Sequence, residues 1–582
     1  MTMRNSTAKS GPLPEYSSAR VAGIPALVSL FSFFYYFRNH DLLLYGDAVA
    51  HINIARRVFD SQTPGLLQLG TVWLPLPHLL MIPFIVSKAM WQSGAGASIP
   101  SMVAYVFGVV GIFRLVRGAL SAKNKAGVVT GLRPVPTETE RTNSVAMIGA
   151  WIAAIVYAAN PNLIYMQSTA MTESVYLSFF IWAVVYFVEF IRGLPKDFAP
   201  KKDATGKIPS RASFASLTRC AWCLAAAELS RYDGWFLAGV MGAAVAVIAM
   251  RRWQDRILRR AALKFMLGIT IAPVLWLLYN GAIYGNALEF ANGPYSAKAI
   301  EQRVGAPNPA LHSVRVAAIY FLKSAQLNMA DANWGRFWLF AALAALAFAL
   351  WKRRSQAVWL LLLWIPLPFY SYSIAYGSVP LHVYTWWPFA TFNQRYGLQL
   401  LPMLGASIGL LTTSVFAADK TRWRGGLAVA AILALVALSY ASVWNAGPQC
   451  LHEAQRNWSI RAPLNAAVER AVTGLPKNSR FLMDLGEHVG VMEQAGIPLR
   501  RVVNNENHRA WKRPSDPDGL WERALADPQR YVDFVIAFDG DVVDQQVNRA
   551  HLRELVAIHA MGQPHAHIYA TADAPNTPNQ SR

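Results

Sequence analysis

Residues 393–417 read NQRYGLQLLPMLGASIGLLTTSVFA, and after Arg395 no charged residue appears until Asp419. A helix rises about 1.5 Å per residue, so roughly 20 mainly apolar residues cross the hydrocarbon of a bilayer. The segment is long enough to span, and a cation stands immediately before its apolar part. Ten other segments have the same character: 21–37, 98–117, 144–159, 172–192, 214–229, 235–250, 265–284, 335–351, 356–376 and 425–444. With 398–417 they predict an α-helical polytopic membrane protein of about eleven transmembrane helices. Composition agrees, since 54% of the 582 residues are hydrophobic and only 15% are charged. Soluble domains carry about a quarter charged residues. Twenty Trp, 22 Tyr and 28 Phe suit a chain with two membrane interfaces to anchor.

The net charge of +21 does not point to nucleic acid. Its basic residues sit in short connections between apolar runs, and no basic, aromatic-interleaved soluble module is present. Those connections set orientation instead. Lys123, Lys125, Arg133 and Arg141 lie in one, and Lys196, Lys201, Lys202, Lys207 and Arg211 in another. Arg251, Arg252, Arg256, Arg259 and Arg260 form a third, Lys352, Arg353 and Arg354 a fourth, and Lys420, Arg422 and Arg424 a fifth. Counting each span once puts all five on one side together with Arg4, Lys9 and Arg20, and that side is read as cytoplasmic. The count works only if residues 74–91, interrupted by Pro75, Pro77 and Pro83, are re-entrant or interfacial rather than spanning.

The expected organisation follows. Residues 1–20 form a cytoplasmic tail, and 21–37, which lacks a small-residue cleavage site, is a retained first span. Residues 21–445 form the membrane domain, with a first outer loop at 38–97. From about 446 charges become frequent, apolar strands at 480–485 and 531–538 alternate with helical patterns at 460–472 and 518–526, and a small extracytoplasmic α/β domain is expected to 573. A disordered tail, 574–582, ends the chain. Cys220 and Cys223 stand in a C-A-W-C spacing inside an apolar helix, without the strand-loop-helix setting of a redox motif, and are read as core. Asn457-Trp458-Ser459 is a glycosylation triplet of the kind that arises by chance.

The unusual polar residues collect on the outer side. Apolar positions at Ala48, Ile52, Ala55 and Phe59 predict a short amphipathic helix capped by Asp47, with His51 one turn on. Asp47 is either a cap alone or an acid facing a site. The loop continues through Arg56 to Leu74-Pro75-Leu76-Pro77-His78. Glu173 opens a span, where the helix dipole accommodates it or it is a second carboxylate in the same pocket. Arg231-Tyr232-Asp233 forms a tight turn between spans, preceded by Glu228: either a structural ion pair or a phosphate site. Arg395 and Tyr396 sit at headgroup depth, where a guanidinium either snorkels or grips phosphate oxygens. Tyr295, Lys298 and Arg303 lie in a long outer loop that either closes over a substrate or is a solvated face.

Gly46-Asp47-Ala48 with Ala55-Arg56, Leu74-Pro75-Leu76-Pro77, Met171-Thr172-Glu173, Arg231-Tyr232-Asp233-Gly234-Trp235 and Arg395-Tyr396, in that order, resemble the glycosyltransferase C superfamily. The resemblance covers about residues 20–445 and lies nearest the bacterial relatives of the dolichyl-phosphate-mannose protein mannosyltransferases and lipid A aminoarabinose transferases. It implies an enzyme in the bacterial inner membrane that moves a sugar, a hexose such as mannose, from a polyprenyl-phosphate donor to an acceptor hydroxyl on protein, lipid or glycan. Asp47 would be the catalytic base and Glu173 a second catalytic carboxylate. His51, Arg56, His78, Arg231, Asp233, Arg395 and Tyr396 would bind substrate, with the arginines on the lipid phosphate. A single displacement would invert the anomeric centre. The oligosaccharyl branch adds a divalent metal, but no D-x-D motif stands in the second outer loop, so no cofactor is expected. The rival is a transporter or flippase of lipid-linked sugars, which calls for ionisable groups near the bilayer midplane.

Overall fold

The computed structural model describes residues 18–121, 138–194, 211–305, 307–351, 357–377, 379–418, 422–486, 488, 490–507 and 518–575. Lys123, Lys125, Arg133, Lys196, Lys201, Lys202, Lys207, Lys352, Arg353, Arg354, Lys420, Arg4, Lys9 and the tail from 576 lie outside them.

Each of the eleven expected spans is occupied by helix. By length and apolarity eight helices among the described residues suffice to cross a membrane, and nine if Thr142–Ala158 and Pro161–Gln167, bent by 64°, count as one span. The others fall short for visible reasons. Arg211–Glu228 carries Ser, Thr and Arg through its first turns, and Arg336–Phe348 is short. Large apolar side chains such as Phe31, Trp222, Leu267, Phe340 and Leu438 point outward from the bundle, as lipid-facing residues do. Inside, small residues let helices approach. A Cβ on Gly149 would stand 2.7 Å from the Gly409 carbonyl, and one on Gly409 would stand 2.4 Å from that of Gly149. Cys220 is buried and its thiol donates to the Ala183 carbonyl at 3.3 Å, so the core reading of this residue agrees with the fold.

Residues 74–91 form no continuous helix. Prolines break them into Leu76–Met81, Ile82–Phe84 and the start of Lys88–Gln92, packed against Ala95–Leu120. The first loop otherwise folds as one amphipathic helix, Gly46–Arg57, hereafter the loop helix. Asp47 is not its cap: Tyr45 holds that position, and the Asp47 carboxylate in the first turn reaches a partner from another segment.

The last span, Arg422–Ala446, is followed after two residues by the connecting helix Gln449–Thr473. This helix leads into a five-stranded sheet of order β2-β1-β3-β5-β4. The strands are β1 (Phe481–Leu482), β2 (Val502–Val503), β3 (Phe534–Phe538), β4 (Leu552–Ile558) and β5 (Ala566–Thr571). β1 pairs parallel with β2 and β3, while β5 runs antiparallel between β3 and β4. β3 is buried along its whole length, which explains its unbroken apolar sequence.

Candidate functional site

Four polar clusters that are far apart in sequence meet at one end of the bundle, around a cavity of about 500 Å³. Asp47 arrives on the loop helix, Glu173 begins the helix Glu173–Gly193, Arg231 and Asp233 lie in a turn between helices, and Arg395 begins the helical stretch from Gln394. The ends of spanning helices supply all of them except Asp47, and the loop helix brings that residue to the same level, where ionisable groups escape the hydrocarbon.

Two guanidinium groups organise the wall. Arg395 places Nη2 2.5 Å from Asp47 Oδ2, Nη1 3.0 Å from Glu453 Oε1 and Nε 3.2 Å from Glu173 Oε1. Arg231 places Nη1 3.2 Å from Glu173 Oε1, Nε 3.4 Å from Asp233 Oδ1, and donates from Nη2 to the Tyr370 hydroxyl at 2.9 Å. Tyr370 in turn donates to Asp233 Oδ2 at 3.1 Å. The Tyr396 ring lies between the two cations, 5.3 Å from each. The two Nε contacts are Coulombic, for neither Nε–H is aligned for a hydrogen bond, and Glu173 Oε2 has no hydrogen-bond partner either.

Charge does not balance on this wall. Four carboxylates face two arginines, and every guanidinium nitrogen already has an acceptor beside it. Glu173, Asp233 and Glu453 are buried, whereas the Asp47 side chain is 39% exposed and is the carboxylate a ligand reaches first. Lys298 lines the cavity from the short helix Ala297–Val304 and makes no ion pair among the described residues.

Of the residues singled out in the sequence, Asp47, His51, Glu173, Arg231, Asp233, Arg395, Tyr396 and Lys298 line this cavity. Arg56 and His78 do not. Arg56 is spent inside the loop, bonded to Asp60 at 2.8 Å and to the carbonyls of Ile85 and Val86, with its guanidinium over the rings of Phe59 and Trp91. His78 stands behind His51, Nε2 to Nδ1 2.9 Å, so one ring donates to the other. Both imidazoles are held neutral. Burial, aided by Arg395 and Arg231, lowers His51 to about 3, and burial with His51 and Arg57 lowers His78 well below the ordinary value. Glu228 forms no ion pair with Arg231 in this arrangement; its Oε2 has no hydrogen-bond partner.

Glu453 was not singled out in the sequence. It lies on the connecting helix, accepts from the Asn393 N–H at 2.8 Å and from Arg395, and so fixes the turn that aims Arg395. The same helix clamps the start of the loop helix. Asn457 Oδ1 accepts from the Gly46 N–H at 2.7 Å, where an added Cβ would be only 3.1 Å away, and Arg461 donates to the carbonyls of Leu43 and Leu44. The Asn457 of the glycosylation triplet is thereby occupied in a structural contact. Helical sequence that resumes directly after the break at 447–448 was the available signal for a helix that carries on from the last span to the site. Among the described residues no group of three or more His, Cys, Asp or Glu is placed to hold a metal ion. The carboxylates turn to guanidinium groups instead of one another, and they do not fit the divalent metal of the oligosaccharyl branch.

No family profile and no curated protein matches the sequence. Solved structures do match the fold. ArnT from Cupriavidus metallidurans, crystallised with undecaprenyl phosphate, superposes with a TM-score of 0.52 at 12% identity, over 96% of this chain and 100% of that one. The archaeal oligosaccharyltransferase AglB from Archaeoglobus fulgidus, in complex with an inhibitory peptide and a dolichol-phosphate, gives 0.46 at 13% identity over 96% and 75% of the respective chains. The assignment rests on the first of these. Over nearly its whole length the chain has the fold of ArnT.

Proposed function

We propose that the protein is a membrane glycosyltransferase that moves a sugar, a hexose such as mannose, from a polyprenyl-phosphate donor to an acceptor hydroxyl on protein, lipid or glycan. The observation that carries this reading is the Arg395–Asp47 pair, an exposed carboxylate held at the rim of a 500 Å³ cavity in a wall of fixed charges. The prenyl tail stays in lipid, so the donor phosphate arrives at the helix ends where these charges lie. The undecaprenyl phosphate in the ArnT crystal structure supports the same donor class.

In this mechanism the phosphate draws on Lys298 and competes with the carboxylates for the Arg395 and Arg231 guanidinium groups, so that Asp47 is released from Arg395 toward the acceptor. Asp47 takes the hydroxyl proton as the acceptor oxygen bonds to the anomeric carbon. The bond from that carbon to the phosphate oxygen breaks, and its electron pair leaves with the polyprenyl phosphate. Arg395 and Arg231 sit where negative charge grows on the leaving group. Glu173 positions both arginines, and a single displacement inverts the anomeric centre. The reacting face is extracytoplasmic in a bacterial inner membrane. Helix Asp233–Arg251 begins at the site and ends at the basic Arg251–Arg260 turn, so the basic turn lies at the opposite end of the bundle. A transporter is less well supported, because the ionisable cluster lies at helix ends and not at mid-span.

The test is donor turnover. Purified protein in liposomes is given undecaprenyl-phosphate hexoses and a crude glycan acceptor extract, and release of undecaprenyl phosphate is followed. Release with an inverted product anomer is the expected result. Retention of configuration removes the single-base mechanism, and movement of intact donor across the bilayer without cleavage turns the reading to transport.

A further inference from the structure

A second cavity of about 150 Å³ adjoins the first, and Val72 and Trp73 line both. Its other walls come from Ala50, Ile54 and Arg57 on the far face of the loop helix, from Leu69 to Thr71 just before Val72, from Tyr295 and Ile300 beside Lys298, and from Leu485, Gly486, Asn505 and Glu506 of the C-terminal domain. Residues 47 and 51 therefore face one cavity, while 50, 54 and 57 face the other, as helical periodicity requires. His51 steadies the partition by meeting the Trp73 ring edge-on at 4.9 Å.

Arg57 is the anomaly. It is 5% exposed, forms no ion pair among the described residues, and donates only a long 3.5 Å contact to the Gln68 carbonyl, while its Nε has no partner. A buried cation without a counter-charge is costly. Neighbouring Arg56 solves the same problem with Asp60, so the loop helix has a carboxylate for one arginine and none for the other. A cavity of about 150 Å³ admits a single six-membered ring. Donors and acceptors both line it: Arg57, Asn505 and Thr71 with Glu506, beside the aromatic rings of Trp73 and Tyr295.

We infer that this cavity is the acceptor subsite and that it takes an acidic sugar, a pyranose carrying a carboxylate or phosphate whose oxyanion pairs with Arg57. The inference rests on reading the larger cavity as the transfer site, and it narrows the acceptor to a glycan. Hydroxyls of the ring meet Glu506 and Asn505, the ring lies against Trp73, and a hydroxyl passes the Val72–Trp73 partition toward Asp47. The oxyanion supplies the charge that Arg57 lacks.

The experiment reads binding without transfer. Saturation-transfer NMR on the full-length protein in nanodiscs compares methyl glucuronide, glucose 6-phosphate and methyl glucoside. One or both acidic sugars are expected to bind roughly tenfold more tightly than the neutral twin, the usual worth of a charged hydrogen bond. A signal from only one of the two names the oxyanion. Arg57→Gln should abolish that preference, and Ala50→Phe, which fills the cavity while keeping the Arg57 charge, should abolish binding of all three. Equal binding of acidic and neutral sugars by the unaltered protein, or no binding of any, overturns the inference, even if neither variant folds. Because donor cleavage is not involved, this failure is distinct from failure of the transferase reading.

Discussion

Arg395 and Asp47 are separated by 348 positions in the chain, yet Nη2 and Oδ2 stand 2.5 Å apart. The pair ties a loop made early to a span made late, and it holds the exposed carboxylate aimed before any substrate arrives.

Replacing Asp47 by Asn should therefore leave the cavity intact and remove the proton acceptor. The expected loss in kcat is about 10²–10⁴-fold, the range for a positioned general base. Affinity for the polyprenyl-phosphate sugar should change little. Steady-state transfer and equilibrium donor binding, measured on the same preparation, separate the two; a variant that transfers at the normal rate excludes Asp47 as the base.

Glu453 tests how far the C-terminal part governs the site. Glu453→Gln keeps the shape but weakens the hold on Arg395 and on the Asn393 N–H, which should cost about 1–3 kcal/mol of stability. Transfer should slow as Arg395 loses its aim, and the thermal midpoint in detergent should fall. A midpoint and rate equal to those of the unaltered protein would show that this contact does not position Arg395.

Lys298 is exposed and carries the cationic charge at the cavity mouth that no carboxylate answers. Lys298→Gln should raise the KM for donor roughly tenfold at low ionic strength and less at high salt, because screening at about 8–10 Å blunts an exposed cation. kcat should hold. A salt-independent effect would assign Lys298 a packing role.

His51 gives a pH dependence with a definite sign. Its pKa falls from 6.5 in the unfolded chain to about 3 in the fold. Between these values the unfolded state binds more protons, so the contribution to stability is complete above pH 6.5 and is lost as pH falls toward 3. Unfolding midpoints between pH 7.5 and 4.5 should drop more steeply for the native protein than for His51→Gln. Parallel curves would mean that the imidazole is hydrated.

Orientation is checked by labelling. In a background with Cys220, Cys223 and Cys450 replaced by Ala, Met561→Cys in the C-terminal domain and Pro64→Cys in the first loop should react with an impermeant thiol reagent on intact cells. Lys123→Cys should not. The reverse pattern would put the site in the cytoplasm.

Much of the fold was legible because a bilayer leaves a strong imprint: twenty apolar residues in a row have few other uses. The helices stand where hydropathy put them, and four polar motifs beside them converge. What stayed hidden depends on the direction in which side chains turn. Arg56 and Arg57 are adjacent and equally basic, yet one is satisfied by Asp60 and the other faces a cavity, because successive helical residues point about 100° apart. Tyr370 looked like any polar residue in a span, and its hydroxyl gains meaning only from Arg231 and Asp233 in other segments. β1 and β2, of two residues each, are too short to leave a pattern, and the paired strands β4 and β5 were not foreseen.

The connecting helix has a consequence for synthesis. Cys450, Glu453, Asn457 and Arg461 reach back to Tyr45, Arg395, Gly46 and the carbonyls before it. A nascent chain inserts its spans in order, but Asp47 and Arg395 lack the support of this helix until the ribosome has passed Arg461. On the proposed reading the site is completed in one late step, so a chain cut short at its final span is expected to be embedded in the bilayer and inert.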